Sequence, residues 1–153
     1  MTTPEERLAE LGLELPELAS PVAAYVPSVR TGNYVYTSGQ LPWRDGELIA
    51  TGKVGGEVTV EKASECARQC ALNALAVVRA EVGELSRIVK IVKVVAFVAS
   101  TPDFTGQPAV ANGASELFGT VFGDAGQHAR SAVGVPVLPL DTPVEVEMIV
   151  EVT

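Results

Sequence analysis

The stretch that decides the fold is IVKIVKVVAFVAS, Ile88 to Ser100. It is rich in β-branched residues and broken only by Lys90 and Lys93, which predicts a strand from about Val89 to Ala99. Both parities are largely apolar. Val92, Val94, Ala96 and Val98 occupy one, and Ile91, Val95 and Phe97 the other. A strand apolar on both faces needs cover on both. The helices of one domain supply one cover, and a second subunit is the most economical source of the other, so a homo-oligomer is expected.

Two helical patterns flank this strand. TVEKASECARQCALNALAVVRAEVG, Thr59 to Gly83, has a capping threonine, frequent alanine and a terminal glycine. Cys66, Cys70, Ala74 and Val77 recur at helical spacing and should face a sheet. DFTGQPAVANGASELFGTVFG predicts a second helix over Gln107–Phe122, with Pro108 in its first turn. Upstream, Val26 and Val29 lead into a turn at Thr31-Gly32-Asn33, and Tyr34–Thr37 return as the partner strand. WRDGELIATGKVGG, from Trp43, reads as a loop or short hairpin. Downstream, Val144–Val152 alternates: Val144, Val146, Met148, Val150 and Val152 on one face, Glu145, Glu147, Ile149 and Glu151 on the other. The order β-β-α-β-α-β-β implies an α+β fold, a mixed β-sheet with two main helices packed on one face. The chain reads as a single domain over 1–153. A helical arm at about 3–14 is announced by Thr3 as cap, Pro4 at the first helical position and Glu6 three residues after the cap.

Composition narrows the function. The chain has 153 residues, 47% hydrophobic and 20% charged, which suits one globular domain. Eleven basic residues are scattered against 19 acidic ones, for a net charge of −8. Nucleic-acid binders gather Lys and Arg on one surface, so no nucleic-acid partner is expected. No apolar run is long enough for a membrane span, and the N-terminus MTTPEERLAELG lacks the basic and apolar regions of a secretory signal. A cytoplasmic protein with no membrane contact is expected. Cys66 and Cys70 stand four apart on one helix face, where a disulfide is not expected. A metal site needs about four ligands, and the chain has one histidine. The cysteines therefore read as small buried hydrophobes, with no metal and no cofactor.

AYVPSVRTGNYVYTSGQLP, Ala24–Pro42, and ARSAVGVPVLPLDTPVEVEMIVEV, Ala129–Val152, closely resemble the two signature stretches of the reactive-intermediate deaminase family, also called RidA or YjgF. The resemblance runs from about Pro21 to Val152. The chain looks like a longer-armed branch, with an extra N-terminal helix and inserted residues around Gly106–Pro108 and Gly123–Gln127. The resemblance implies an α+β homotrimer similar to the chorismate mutase of bacilli, with sheets facing a central barrel and sites in clefts between subunits. It also implies hydrolysis of 2-imino acids and their enamines to 2-keto acids and ammonia.

That chemistry has definite requirements. The carboxylate of an imino acid is best met by arginine, planar, permanently charged and with parallel donors. The protonated imine is already electrophilic and needs only a held water and a group to take its proton. Arg130 falls on the family's carboxylate-binding arginine, and Glu145 on the glutamate that positions the water. Tyr25, Ser38, Gly39 and Asn112 match cleft positions. Ala132 stands where many members carry a cysteine whose backbone serves the site, and His128 is a candidate for the cleft mouth. The alternatives are a surface ion pair for Arg130 and a solvated strand face for Glu145. If Val133–Leu138 and Val144–Val150 formed a simple hairpin, Arg130 would lie across from about Glu151, with Glu145 roughly 20 Å along the strand. One site using both would then need two subunits or an irregular register. Other functional readings are a non-catalytic trimer binding a 2-imino or 2-keto carboxylate, and the endoribonuclease or translation inhibitor for which the family is also named.

Overall fold

The computed structural model describes residues 1–18 and 24–153; residues 19–23, which include the first three of the family-like span, lie outside them. Helix α1 (Pro4–Glu10) opens with the expected capping box, in which Thr3 and Glu6 satisfy each other's backbone N–H groups. It ends earlier than the 3–14 arm, because Gly12 at φ +72° turns the chain. Strands β1 (Ser28–Thr31) and β2 (Tyr34–Thr37) form a hairpin closed by Gly32-Asn33. Gly32 sits at φ +56°, the left-handed value that a two-residue hairpin loop demands at its first position. A small hairpin follows, β3 (Trp43–Arg44) and β4 (Glu47–Leu48), turned by Asp45-Gly46.

Helix α2 (Val60–Val82) is capped by Thr59, whose hydroxyl accepts from the Lys62 N–H, and stops at Gly83 with φ +99°. Strand β5 (Ile88–Ala99), helix α3 (Gln107–Phe122), strand β6 (Ala129–Val135) and strand β7 (Val144–Val152) complete the chain. The sheet order is β1-β2-β7-β5-β6, with every pair antiparallel except β5–β6. This is the expected α+β architecture. Helices α2 and α3 cover one face, and the core lies between them and Val94, Ala96, Val98, Val146, Met148 and Val150. Both cysteines are buried there. Burial pushes the Cys66 thiol up to about 11, Glu65 adding to it, and pushes the Cys70 thiol well above its ordinary value. Neither thiol is poised as a nucleophile.

One sequence expectation is corrected, and one arrangement left open is decided. First, β5 does not keep one parity. Its pairing with β7 slips between Ile88 and Lys90 and again between Ile91 and Lys93, leaving Val89 and Val92 as bulged residues. The buried positions therefore step by three, Ile88, Ile91, Val94, before alternation begins. Val92 is half-buried and does not share the core face of Val94, Ala96 and Val98. Second, β6 and β7 are not a hairpin. β6 pairs in parallel with β5, and β5 lies between β6 and β7. The connecting segment contains a 3-10 turn, Pro139–Asp141, in which Leu140 and Asp141 both stand at φ +58°.

The opposite face of the sheet has no helix over it. It carries Tyr34, Tyr36, Val95, Phe97, Val133, Ile149 and the glutamates of β7, all exposed or half-buried. The helix pair itself is held at backbone distance. A Cβ on Gly113 of α3 would meet the Ser64 carbonyl of α2 at 2.0 Å. Gly113→Ala should therefore force the helices apart and cost about 1–3 kcal/mol, the usual range for overpacking; urea unfolding gives the number.

Candidate functional site

The chain carries two groups of candidate residues at different places in the sheet. The first surrounds Arg130 on β6. Arg130 pairs with Val94, whose side chain faces the helices, so the arginine also points to the helix side. There α3 meets it. Nη1 of Arg130 donates to Asn112 Oδ1 at 2.8 Å and to Ser115 Oγ at 3.1 Å. Asn112 and Ser115 are three apart on α3 and so share one helix face.

Ser115 is itself tied to His128, with 2.8 Å between Oγ and Nε2. His128 Nδ1 lies 2.7 Å from the Gly126 carbonyl. A carbonyl only accepts, so Nδ1 carries the proton, and in the neutral ring Nε2 accepts from the serine hydroxyl. The Phe118 ring, edge-on at 5.7 Å, fixes the imidazole further. The result is a chain of bonds from Gly126 through His128 and Ser115 to the guanidinium. His128 is thus a brace behind Arg130. Ser115 was not legible as a site residue, although its i,i+3 relation to Asn112 is the signal that could have found it.

Three ion pairs occur among the described residues, Arg44–Glu65, Lys53–Asp141 and Lys62–Glu65, and none involves Arg130. Both hydrogen bonds of Arg130 leave through Nη1. The Nε and Nη2 donors make none within the described residues, and they are a matched pair for a carboxylate. Ala132, two residues on, shares the helix-side face and packs against the core.

The second group lies where β2 ends. Tyr25, Ser38 and Gly39 line one groove of about 850 Å³. Tyr25 is well exposed, and the Ser38 hydroxyl donates to the Val26 carbonyl at 2.6 Å. Gly39 leaves room for the Glu145 side chain. A Cβ would stand 2.0 Å from Oε2 of Glu145, so any larger residue would push that carboxylate out of its place along the backbone. Glu145 is half-buried, and its pKa is raised, first by burial and then by the neighbouring Glu147 charge. Such a carboxylate is a better proton acceptor than an exposed one.

The two groups do not meet within one chain. Glu145 pairs with Phe97 on the uncovered face, whereas Arg130 pairs with Val94 on the helix face. Two strand spacings and three residues of offset put their Cα atoms about 14 Å apart. Among the described residues no three His, Cys, Asp or Glu side chains group as metal ligands, and no helix is long and apolar enough to cross a membrane.

Residues 5–152 match a family model described as "YjgF/chorismate mutase-like, putative endoribonuclease". The chain is similar to Protein TCP17 of Trypanosoma cruzi, 44% identical over 94% of this chain and 91% of that protein. It is also similar to the 2-iminobutanoate/2-iminopropanoate deaminase of Dermatophagoides farinae, 34% identical over 90% and 93% of the two chains. The crystal structure of a "putative endoribonuclease" from Shewanella oneidensis superposes with a TM-score of 0.95 at 36% identity, covering 99% of this chain and 100% of that one. The two signature stretches, the sheet order and these likenesses agree, and the chain belongs to the YjgF/chorismate mutase-like family.

Proposed function

We propose that the protein hydrolyses 2-imino acids to 2-keto acids and ammonia, at sites completed between two copies of the chain in a homotrimer. The observation that carries this reading is Arg130: a braced guanidinium with no acidic partner and two parallel donors unengaged among the described residues. The deaminase named among the relatives supports the reaction class. Arg130 with Asn112, and Glu145 with Tyr25, Ser38 and Gly39, are complementary half-sites. One holds a carboxylate, and the other holds a base beside a groove. Joining them across subunits removes the separation that one chain imposes, and assembly also covers the apolar side chains on the helix-free face.

In the reaction Arg130 binds the carboxylate of the iminium. A water oxygen adds to C2 while Glu145 takes one of its protons. Glu145 returns that proton to the nitrogen of the carbinolamine. The C–N bond then breaks as the C2 hydroxyl becomes a carbonyl, and its proton leaves with ammonia as ammonium. The imine supplies its own electrophile, so activity should survive exhaustive chelation; restoration by one specific divalent ion after loss would contradict this.

The test is an assay of 2-iminobutanoate generated in situ, following keto-acid release with and without the protein, together with light scattering. A trimer with accelerated release is expected; a monomer at micromolar concentration overturns the shared site. Ser115→Ala should raise KM about two- to tenfold, the worth of one hydrogen bond of about 0.5–1.5 kcal/mol, with kcat less affected, and Ser115→Thr should recover most of it. The ribonuclease reading is disfavoured by charge and by chemistry. The sole histidine has both ring nitrogens engaged, by Gly126 and Ser115, and is not free to exchange protons with a substrate.

A further inference from the structure

The groove that holds Tyr25, Ser38 and Gly39 extends well past them, and we infer that this extension receives a large apolar side chain, making branched or aromatic 2-imino acids the preferred substrates. The inference rests on the proposed reading of that groove as the ligand site, and it names the substrate class.

Size is the first argument. About 850 Å³ lies in the range of pockets that enclose drug-sized ligands, roughly 300–1,000 Å³. An imino acid with a methyl or ethyl side chain fills little of it. The walls are the second. Beyond Gly39 they are Leu41, Trp43, Val77 and Leu140. Two amide side chains, Gln40 and Asn73, also line it, and both are engaged: the Gln40 amide donates to the Ser38 carbonyl at 3.1 Å, and Asn73 is tied at both ends. The Asn73 amide donates to the Leu41 and Trp43 carbonyls at 2.9 and 3.1 Å, and its oxygen accepts from Gln69 at 3.0 Å. Arg44 at the rim is paired with Glu65 at 3.3 Å, and Glu17 and Asp45 are exposed at the mouth. The interior therefore offers apolar surface and no unpaired charge to attract a polar side chain.

Leu140 is the third argument. It is 65% exposed and held at φ +58°, a left-handed conformation that a leucine rarely adopts. The fold anchors it through the next residue. Asp141 is ion-paired with Lys53, and its carbonyl accepts from the Gly52 N–H at 2.8 Å. An apolar side chain displayed to solvent on a backbone so constrained fits a ligand contact better than a packing role. Trp43, also exposed and the sole tryptophan of the chain, faces the same groove.

The experiment uses Trp43 fluorescence on the intact assembly, titrated with 4-methyl-2-oxopentanoate and with pyruvate, product analogues with a large and a small side chain. The larger acid is expected to bind about tenfold tighter or more and to perturb Trp43, the discrimination an apolar pocket achieves between such side chains. Leu140→Ala should shrink the ratio of the two affinities several-fold. Equal affinities, or a ratio untouched in Leu140→Ala, overturn the inference whether or not the protein hydrolyses imines. Selective binding without hydrolysis of the imines derived from leucine or alanine leaves the groove's preference for a large apolar side chain standing, as a ligand preference, and removes the deaminase reading.

Discussion

Replacing Arg130 with alanine should lower the hydrolysis of 2-iminobutanoate by at least about thirtyfold. Truncating one partner of a desolvated charge pair costs roughly 2–5 kcal/mol, and about 1.4 kcal/mol corresponds to each tenfold in rate. The loss should appear in kcat/KM, because the carboxylate is bound before and during the chemical step. Arg130→Lys should recover only part of it. An ammonium keeps the charge but cannot present two parallel donors, nor bond Asn112 and Ser115 as the guanidinium does. Folding and assembly should persist, since Arg130 is ion-paired with nothing among the described residues. Circular dichroism and light scattering check this beside the assay. A folded Arg130→Ala protein with full activity would remove the carboxylate clamp and leave Arg130 a structural residue of the α3–β6 junction.

Glu145→Gln should be more severe in kcat, by about a hundredfold or more, since a positioned acid–base group contributes roughly 10²–10⁴. The pH profile carries the sign. Glu145 must be ionised to accept the water proton, so activity falls as pH drops through its folded pKa. Burial and Glu147 raise that pKa above the ordinary carboxylate value. The acid limb should therefore begin at higher pH than for an ordinary glutamate, and be absent from the residual activity of Glu145→Gln. Stability runs the other way. With the folded pKa raised, stabilisation by the protonated form is present below the unfolded pKa and lost as pH rises through the folded one. At neutral pH the fold holds this charge at a cost, so Glu145→Gln should leave the melting temperature unchanged or higher. A fall of many degrees would mark Glu145 as structural.

Much of this protein is legible in its residues taken in order. The α2 and α3 helices were bounded by Thr59, Gly83 and Pro108, because caps and breakers act within a few residues of themselves. The β1–β2 hairpin followed from Gly32, and the two faces of β7 from strict alternation, since both are local properties of the backbone. Arg130, Glu145, Gly39 and Asn112 were picked out by type and family-like spacing. The structure puts the first two on opposite faces, sets Gly39 against the Glu145 carboxylate, and makes Asn112 a partner of Arg130.

Other features depended on contacts between distant segments. The bulges at Val89 and Val92 exist only against β7, so the periodicity of β5 alone misassigned Val92. Whether β6 and β7 form a hairpin was open in the sequence; β6 docks beside β5, because α3 delivers it there and a strand–helix–strand crossover yields a parallel pair. The brace of Ser115 and His128 behind Arg130 likewise joins residues with no pattern between them in sequence. Local signals named the elements and the chemically capable side chains. Which strands lie together, and therefore which of those side chains can share a ligand, was decided by non-local pairing and packing of the sheet.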